Sequence, residues 1–382
     1  MNKTTKDLLI LALFTLSSTF LIWLPHFLAL PNFWGLNFSQ GFLTIYRNFD
    51  GLEYVIIAKS FYDPNIISSF IQSLPPIYYA SHFPGYSLAI NLFAPILGPI
   101  KSMLFVSVTS TILAVWAFYF FITKLKLTHH PLFLSLIFLV LPARWLIVHS
   151  VGSSEPLFIF FVISTIYFFI RYEQTGHFKD VILAGILGAA SQLTRPPGIL
   201  LTLAMGLYIL WSAYRKRSFS YVFSFYPLLL IPITLLGIFY WYSITYHDFF
   251  AYFHSGDNIH LTFPPFQVFN KDQFWVGDIW LEDIVYTFIL GFLGGLLLWK
   301  QKLYALSFLV LTYLSASILV AHRDISRYIL PIAPFLLIAF EKVLTSKEFK
   351  IILPIILIAI YLYAQNFILA NVTPVNPLDF SR

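Results

Sequence analysis

The chain has 382 residues, of which 59% are hydrophobic and 10% are charged, whereas about a quarter of the residues of a soluble globular domain are charged. This composition excludes a soluble fold, and the absence of cysteine excludes disulfides, thiol catalysis and cysteine-ligated zinc. The net charge of +6 comes from basic residues scattered through short connections, which indicates membrane topology rather than a nucleic-acid-binding face.

Apolar runs long enough to cross a bilayer occur from one end of the chain to the other. A helix needs about 20 residues to cross about 30 Å of hydrocarbon. The first run follows Lys3 and Lys6 and lacks a small-residue cleavage site, so we interpret it as a retained anchor. We predict a single all-α domain over residues 1–382, a bundle of about eleven transmembrane helices. Clear examples of such runs are residues 8–30, 132–148, 227–246 and 351–370.

Basic residues determine the predicted orientation. If the N-terminus and five short connections are cytoplasmic, together they hold 14 Lys and Arg against five acidic residues, as the positive-inside rule requires. The five connections are residues 124–130, 171–180, 215–220, 299–302 and 341–350. The outer side then carries two long loops, 31–101 and 247–283, three short turns at 152–156, 194–198 and 321–327, and the segment after residue 370.

Residues 86–122 are too long for one straight crossing, but two crossings would place every later loop on the wrong side. An odd number of crossings is therefore required. We expect residues 86–97 to lie near the outer interface, broken by Pro95, Gly98 and Pro99, and residues 102–122 to span the membrane. With other interfacial helices, this segment would complete a large first outer loop.

The first outer loop contains a polar run that begins a helix. Asp50 is a candidate catalytic carboxylate, and Glu53 is a candidate substrate-binding residue. The alternative is structural, because an acid at the start of a helix with Glu three positions later is close to a capping box. The apolar face of this helix predicts a position along the membrane surface, and its residues are Tyr54, Ile57, Ala58 and Phe61.

The same loop ends in the turn His82-Phe-Pro-Gly-Tyr86. Pro and Gly fix the turn, and His82 can donate a hydrogen bond to an anion or accept a proton. We therefore take His82 and Tyr86 as candidate substrate-binding residues. The alternative for His82 is a solvated loop histidine with no specific role.

Two short outer turns carry charged residues next to hydrocarbon. A carboxylate there is costly unless it is paired or hydrated, so Glu155 is a second candidate catalytic residue. Alternatively, Ser153 or Ser154 caps a helix and Glu155 is a favourable first-turn acid. Arg195, in the run Thr-Arg-Pro-Pro-Gly, either contacts an anion or extends to lipid headgroups.

Residues 321–331 form the densest polar cluster at a membrane mouth. His322, Arg323 and Arg327 lie within six positions, and arginine can hold phosphate through two hydrogen bonds. Basic residues on the outer side depart from the positive-inside rule. This departure favours a functional reason for these cations. Tyr328 follows them as a candidate substrate-binding residue.

Two outer carboxylates and an outer arginine-histidine cluster indicate a site that removes a group from a phosphate-bearing donor. The sequence has no Walker A loop, no His-Glu-x-x-His and no Gly-x-Ser-x-Gly, which argues against nucleotide hydrolysis, zinc proteolysis and elbow-type esterases. A transporter or lipid flippase is the alternative function. Charges at one mouth and the absence of a visible internal repeat favour an enzyme.

At these residues the chain resembles the GT-C superfamily, polytopic glycosyltransferases that use polyprenyl-phosphate sugars. It is most similar to the branch of the mannosyltransferase that adds the second mannose to GPI anchors, together with its prokaryotic relatives. The chain departs from that branch in two ways. It has Asn-Phe before Asp50, where the branch more usually has Trp or Phe with an arginine, and it is short. These differences leave the donor sugar and the acceptor open. The matching elements, in order, are Asp50-Gly-Leu-Glu-Tyr54-Val-Ile-Ile57-Ala58, His82-Phe83-Pro84-Gly-Tyr86, Ser154-Glu155-Pro-Leu157-Phe158, Thr194-Arg195-Pro196-Pro-Gly198 and Arg327-Tyr328-Ile-Leu330-Pro331.

The resemblance implies an inverting, metal-independent transfer of a sugar, mannose by preference, from a polyprenyl-phosphate donor to a hydroxyl of a glycan, lipid or protein. Asp50 would act as base, and no cofactor beyond the lipid-linked sugar is implied. The donor phosphate would be bound by Arg195, His322, Arg323 and Arg327. We expect a multi-pass protein of the bacterial plasma membrane, or of the endoplasmic reticulum in a eukaryote, with its active site on the non-cytoplasmic face.

Overall fold

The computed structural model describes residues 2–70, 74–256, 259–277 and 281–373. Within these residues the secondary structure is helical, and the extended pairings are isolated bridges. In the described part of the chain, seven helices are long and apolar enough to cross a membrane, so the predicted all-α membrane bundle is confirmed. The count of about eleven spans stays a prediction. Most of the predicted external segment after residue 370 lies outside the described residues.

The α-helices of the described residues are numbered in chain order. They are α1 Lys3–Phe27, α2 Leu43–Tyr46, α3 Gly51–Ser60, α4 Pro64–Ser68, α5 Gly85–Leu97, α6 Pro99–Lys124, α7 Pro131–Phe138, α8 Ala143–Val148, α9 Glu155–Thr175, α10 Phe178–Thr194, α11 Ile199–Lys216, α12 Ser220–Phe223, α13 Leu230–Thr245, α14 Ala251–His254, α15 Leu281–Lys300, α16 Tyr304–Ser317, α17 Ile325–Tyr328, α18 Ala333–Ala339, α19 Glu341–Leu344 and α20 Lys347–Ala370. Short 3₁₀ segments are Pro76–Ser81, Pro196–Gly198, Tyr226–Leu229, Gln267–Phe269 and Leu330–Ile332.

The predicted break within residues 86–122 is present. Helix α5 ends at Leu97, Gly98 has a φ of 76°, and α6 begins at Pro99. A helix of 13 residues is about 20 Å long, too short to cross about 30 Å of hydrocarbon upright. Helix α6, with 26 residues, is long enough. This division agrees with one spanning helix preceded by a short outer helix.

The first outer loop folds into several short helices against the bundle. Helix α3 is buried on nearly every side rather than on one face alone, because Gly51 to Ala58 are all buried. The last described residues pack on the same loop: the Thr373 backbone N–H donates to the Arg47 carbonyl at 2.8 Å, and the Asn48 amide donates to the Ile368 carbonyl at 2.7 Å. The end of α20 therefore lies at the same end of the bundle as the first loop.

Two of the predicted cytoplasmic connections contact each other at the opposite end of the bundle. The Thr128 hydroxyl donates to Glu341 at 2.6 Å, which joins two connections that are 213 positions apart. Within a third connection, Arg171 pairs with Asp180 at 3.2 Å. The connections 124–130 and 341–350 therefore lie at the same end of the bundle, while the assignment of this end to the cytoplasm stays a prediction.

Candidate active site

Four charged side chains from distant segments meet at the end of the bundle that carries the first loop. Arg327 Nη2 lies 2.9 Å from Asp50 Oδ2, and Arg327 Nε lies 2.5 Å from Glu155 Oε1. Arg195 Nη1 approaches the same Glu155 oxygen at 2.5 Å. We call these four residues the charged cluster. Two carboxylates and two guanidiniums balance in charge, which offsets the desolvation cost of burying them.

Asp50 is the member of the charged cluster that remains open to solvent, with 35% of its side chain exposed. It precedes α3, but its carboxylate makes no capping hydrogen bond, so the capping alternative is not what the structure shows. Instead the carboxylate contacts Arg327 and lies 4.0 Å from His82 Nε2. Loss of hydration would raise the pKa of Asp50, but the opposing charges of Arg327 and then His82 lower that pKa below its usual value.

Glu155 is enclosed, with 2% of its side chain exposed. Both arginines contact Oε1, and the Ser153 hydroxyl donates to Oε2. Ser154 makes no capping bond to α9; its hydroxyl accepts from Arg195 at 3.0 Å and lies 3.0 Å from the Tyr54 hydroxyl. Because its oxygens are already occupied by the protein, the geometry favours a positioning role for Glu155 over the predicted catalytic one.

Asp50 opens into a cavity of about 400 Å³, which we call the polar cavity. His82, which is 6% exposed, lies in its wall rather than in solvent. Arg195 is 13% exposed and paired with Glu155, so it does not extend to lipid headgroups. The predicted site residues that line the polar cavity are Asp50, His82, Arg195, His322, Arg327 and Tyr328.

Three further predicted site residues do not line the polar cavity. Tyr86 is fully buried, and its hydroxyl donates to the Met103 carbonyl at 2.7 Å, which anchors α5 to α6. Glu53 is 8% exposed within α3. Arg323 lies over the Phe274 ring at 5.7 Å and lines a neighbouring cavity instead. The structure therefore does not place these three residues in the wall of the polar cavity.

The site also contains residues that the sequence patterns did not indicate. The Phe49 ring lies 4.3 Å beneath the Arg327 guanidinium and supports it. Asp324 lines the polar cavity, and its position between Arg323 and Arg327 was the available signal. Asn371 and Thr373 also line the cavity, but their only sequence signal was a glycosylation triplet. Their role depends on the packing of α20 against the first loop.

An apolar groove of about 500 Å³ adjoins the polar cavity. Pro196, Tyr252 and Tyr328 line both spaces, so the two are continuous. The rest of the groove is formed mainly by aliphatic and aromatic side chains, among them Leu200, Leu235, Phe239, Phe253 and Tyr313. A charged chamber that continues into an apolar groove suits a ligand with an anionic head and a hydrocarbon tail.

Part of the chain is similar to a known protein family. Residues 81–241, less than half of the chain, match the family described as dolichyl-phosphate-mannose-protein mannosyltransferase. This range includes His82, Glu155 and Arg195 but not Asp50 or Arg327. No curated protein sequence matches the chain.

The fold is similar to a crystal structure of ArnT from Cupriavidus metallidurans bound to undecaprenyl phosphate. The TM-score is 0.54 at 12% sequence identity, and the match covers 85% of this chain and 58% of that one. The predicted resemblance to GT-C glycosyltransferases that use polyprenyl-phosphate sugars is confirmed by these two findings. The closer likeness to the branch that adds the second mannose to GPI anchors stays a prediction.

Proposed function

We propose that this integral membrane protein is a glycosyltransferase that moves a sugar from a polyprenyl-phosphate donor to an acceptor hydroxyl. The observation that carries the proposal is the Asp50–Arg327 pair, which lies in a polar cavity continuous with an apolar groove. Mannose is the preferred sugar, because the matching family is described by that sugar. Transfer occurs with inversion, without a metal, and on the non-cytoplasmic face of the bacterial plasma membrane or endoplasmic reticulum.

The two spaces suit the two parts of the donor. The prenyl tail lies in the apolar groove, where hydrocarbon contacts replace those with lipid. The phosphate lies in the polar cavity, where Arg195, His322 and Arg327 can approach it. Binding of undecaprenyl phosphate by the structurally similar ArnT supports a donor of this class.

Asp50 is suited to act as the base of an inverting displacement. The acceptor oxygen attacks the anomeric carbon as the bond between that carbon and the phosphate oxygen breaks. The hydroxyl proton passes to Asp50, and the bonding electrons leave with the polyprenyl phosphate. A carboxylate of low pKa cannot deprotonate an alcohol in advance, so Asp50 orients the hydroxyl and accepts its proton as the new bond forms.

Arg327 is suited to stabilise the leaving group. Its Nη2 and Nε contact Asp50 and Glu155, and Nη1 takes part in neither contact. Because the negative charge of the phosphate grows during the reaction, a fixed cation there stabilises the transition state more than the ground state. A contribution of about 3 to 4 kcal/mol corresponds to a rate factor of several hundred.

The direct test is to incubate the purified protein with a panel of polyprenyl-phosphate sugars and follow labelled product. We expect transfer from one donor, polyprenyl-phosphate mannose first, with inversion at the anomeric carbon. Movement of the intact donor across vesicle membranes, without cleavage of the sugar-phosphate bond, would instead support a flippase. Failure of every donor in transfer and in hydrolysis would contradict the proposal.

A further inference from the structure

A second cavity of about 310 Å³ lies beside the polar cavity. It is formed where the beginning of α15, the turn before α17 and the end of α20 meet Arg144. Asp324 and Asn371 line both cavities, so the two spaces share a wall. None of the residues that join the apolar groove to the polar cavity lines this second cavity. The polar cavity therefore adjoins the apolar groove on one side and the second cavity on another.

Arg144 forms part of the wall of the second cavity and is only 9% exposed. Its Nη2 pairs with Asp324 Oδ1 at 3.1 Å, and its guanidinium lies 4.0 Å from the Phe367 ring centre. Its other two nitrogens, Nε and Nη1, are buried without an acceptor in the parts of the chain that the structure describes. Unused donors of a buried guanidinium are costly, so this wall is an incomplete hydrogen-bonding network.

The second cavity is balanced in charge and rich in mixed donors and acceptors. Arg144 and Arg323 line this cavity together with Asp283 and Asp324, so its formal charges balance and a charged ligand would disturb that balance. Hydroxyl groups can both donate and accept, and therefore suit arginine, carboxylate and amide side chains together. Aromatic rings in the same wall offer contact to the apolar face of a pyranose ring. Besides the charged residues, the lining includes Tyr363, Asn366 and Phe367.

We propose that the second cavity binds the acceptor, and that the acceptor presents a neutral sugar residue there. The sugar extends past Asp324 and Asn371, the residues that both cavities share, so that one hydroxyl reaches Asp50 in the polar cavity. The donor enters from the apolar groove, so the two substrates approach the charged cluster from different sides. This inference rests on the proposed transferase function and names the substrate class of its acceptor.

Kinetics with simple acceptors test this assignment. Methyl glycosides of neutral hexoses are compared with a methyl glucuronide and a methyl glucosaminide, using the full-length protein and the active donor. We expect the neutral hexosides to be the better acceptors. Asp283→Asn and Asn366→Ala should each raise KM for the hexoside about tenfold with a smaller change in kcat. Asp248→Asn, in an outer-loop pair with His254, is the matched control and should change neither constant.

A labelling experiment separates the acceptor site from the transferase chemistry. A neutral methyl hexoside that carries a diazirine is photolysed with the protein, and labelled peptides are identified by mass spectrometry. Labelling of residues 361–371, competed by neutral hexosides and not by the glucuronide, would support the second cavity even if no donor were turned over. Donor hydrolysis without hexoside tests the transferase function independently. Absence of this label, or preferential use of the charged glycosides, would overturn the proposal.

Discussion

Arg327 connects the two carboxylates of the charged cluster through different nitrogens while its guanidinium rests on the Phe49 ring. Its orientation is thus defined by Asp50, Glu155 and an aromatic face, and little freedom is left to lose when a phosphate binds. The two carboxylates differ in exposure, 35% for Asp50 and 2% for Glu155. This difference separates a group that can meet a substrate from one that holds the arginines in place.

Asp50→Asn removes the proposed base without a large change in volume. We expect sugar transfer to fall by about 10²- to 10⁴-fold, the usual contribution of general base catalysis, while the protein still folds and binds the donor. Single-turnover transfer and donor binding measure the two effects separately. A variant that turns over at the normal rate would remove Asp50 from the catalytic role.

The pH dependence of transfer should reflect the Asp50–Arg327 pair. Because the opposing charges of Arg327 and then His82 lower the pKa of Asp50, its carboxylate stays ionised to a lower pH than an ordinary aspartate does. The pair therefore stabilises the fold above the unfolded pKa, and that stabilisation is lost as pH falls through the folded one. In Arg327→Gln the acid limb of the residual rate should move to higher pH. An unchanged limb would show that Arg327 does not control this carboxylate.

Glu155→Gln should affect the fold more than Asp50→Asn does. It leaves Arg195 and Arg327 buried beside each other without the carboxylate that joins them. Breaking such a buried ion pair costs about 3 to 5 kcal/mol, so we expect a clear fall in the midpoint of thermal unfolding. A Glu155→Gln protein that unfolds at the normal temperature but cannot transfer sugar would support the predicted catalytic role of Glu155.

At the scale of elements, the site depends on close approaches between backbone segments. A Cβ added to Gly85, at the start of α5, would lie 2.8 Å from the Thr194 Cα and 2.9 Å from the Leu193 carbonyl carbon. A Cβ on Gly51, at the start of α3, would meet the Gly152 carbonyl oxygen at 2.9 Å. The first approach holds the turn that carries His82 next to the turn that carries Arg195, and the second holds the turn of Asp50 next to the turn that carries Glu155.

Gly85→Ala should therefore separate two of these turns. Both obstructing groups are backbone atoms, which cannot rotate away, so the His82 turn must move relative to Arg195. We expect lower transfer and a lower unfolding temperature, since overpacking costs about 1 to 3 kcal/mol. Gly206→Ala in α11, where a Cβ would meet nothing within 4 Å, is the matched control. Equal behaviour of the two variants would contradict the proposed close approach.

At the scale of the whole molecule, the predicted sidedness can be tested directly, because the chain has no cysteine. Single cysteines at the exposed positions Asn65 and Lys271 should react with a membrane-impermeant maleimide in intact cells. Cysteines at the exposed positions Lys179 and Glu348 should react only after the membrane is permeabilised. The reverse pattern would place the charged cluster on the cytoplasmic side and would contradict the orientation drawn from basic residues.

Hydropathy and charge are properties of neighbouring residues, so the sequence by itself determined the membrane-spanning class and the break at Gly98. It also predicted Asp50 and Arg327 as site residues. Contacts across long separations are decided by packing. Arg327 meets Asp50 277 positions away, and only the tertiary structure showed that Glu155 is enclosed, that Tyr86 anchors a helix, and that Arg323 faces a different cavity. A local sequence pattern does not predict which loop side chains stay exposed to solvent after the helices have packed together.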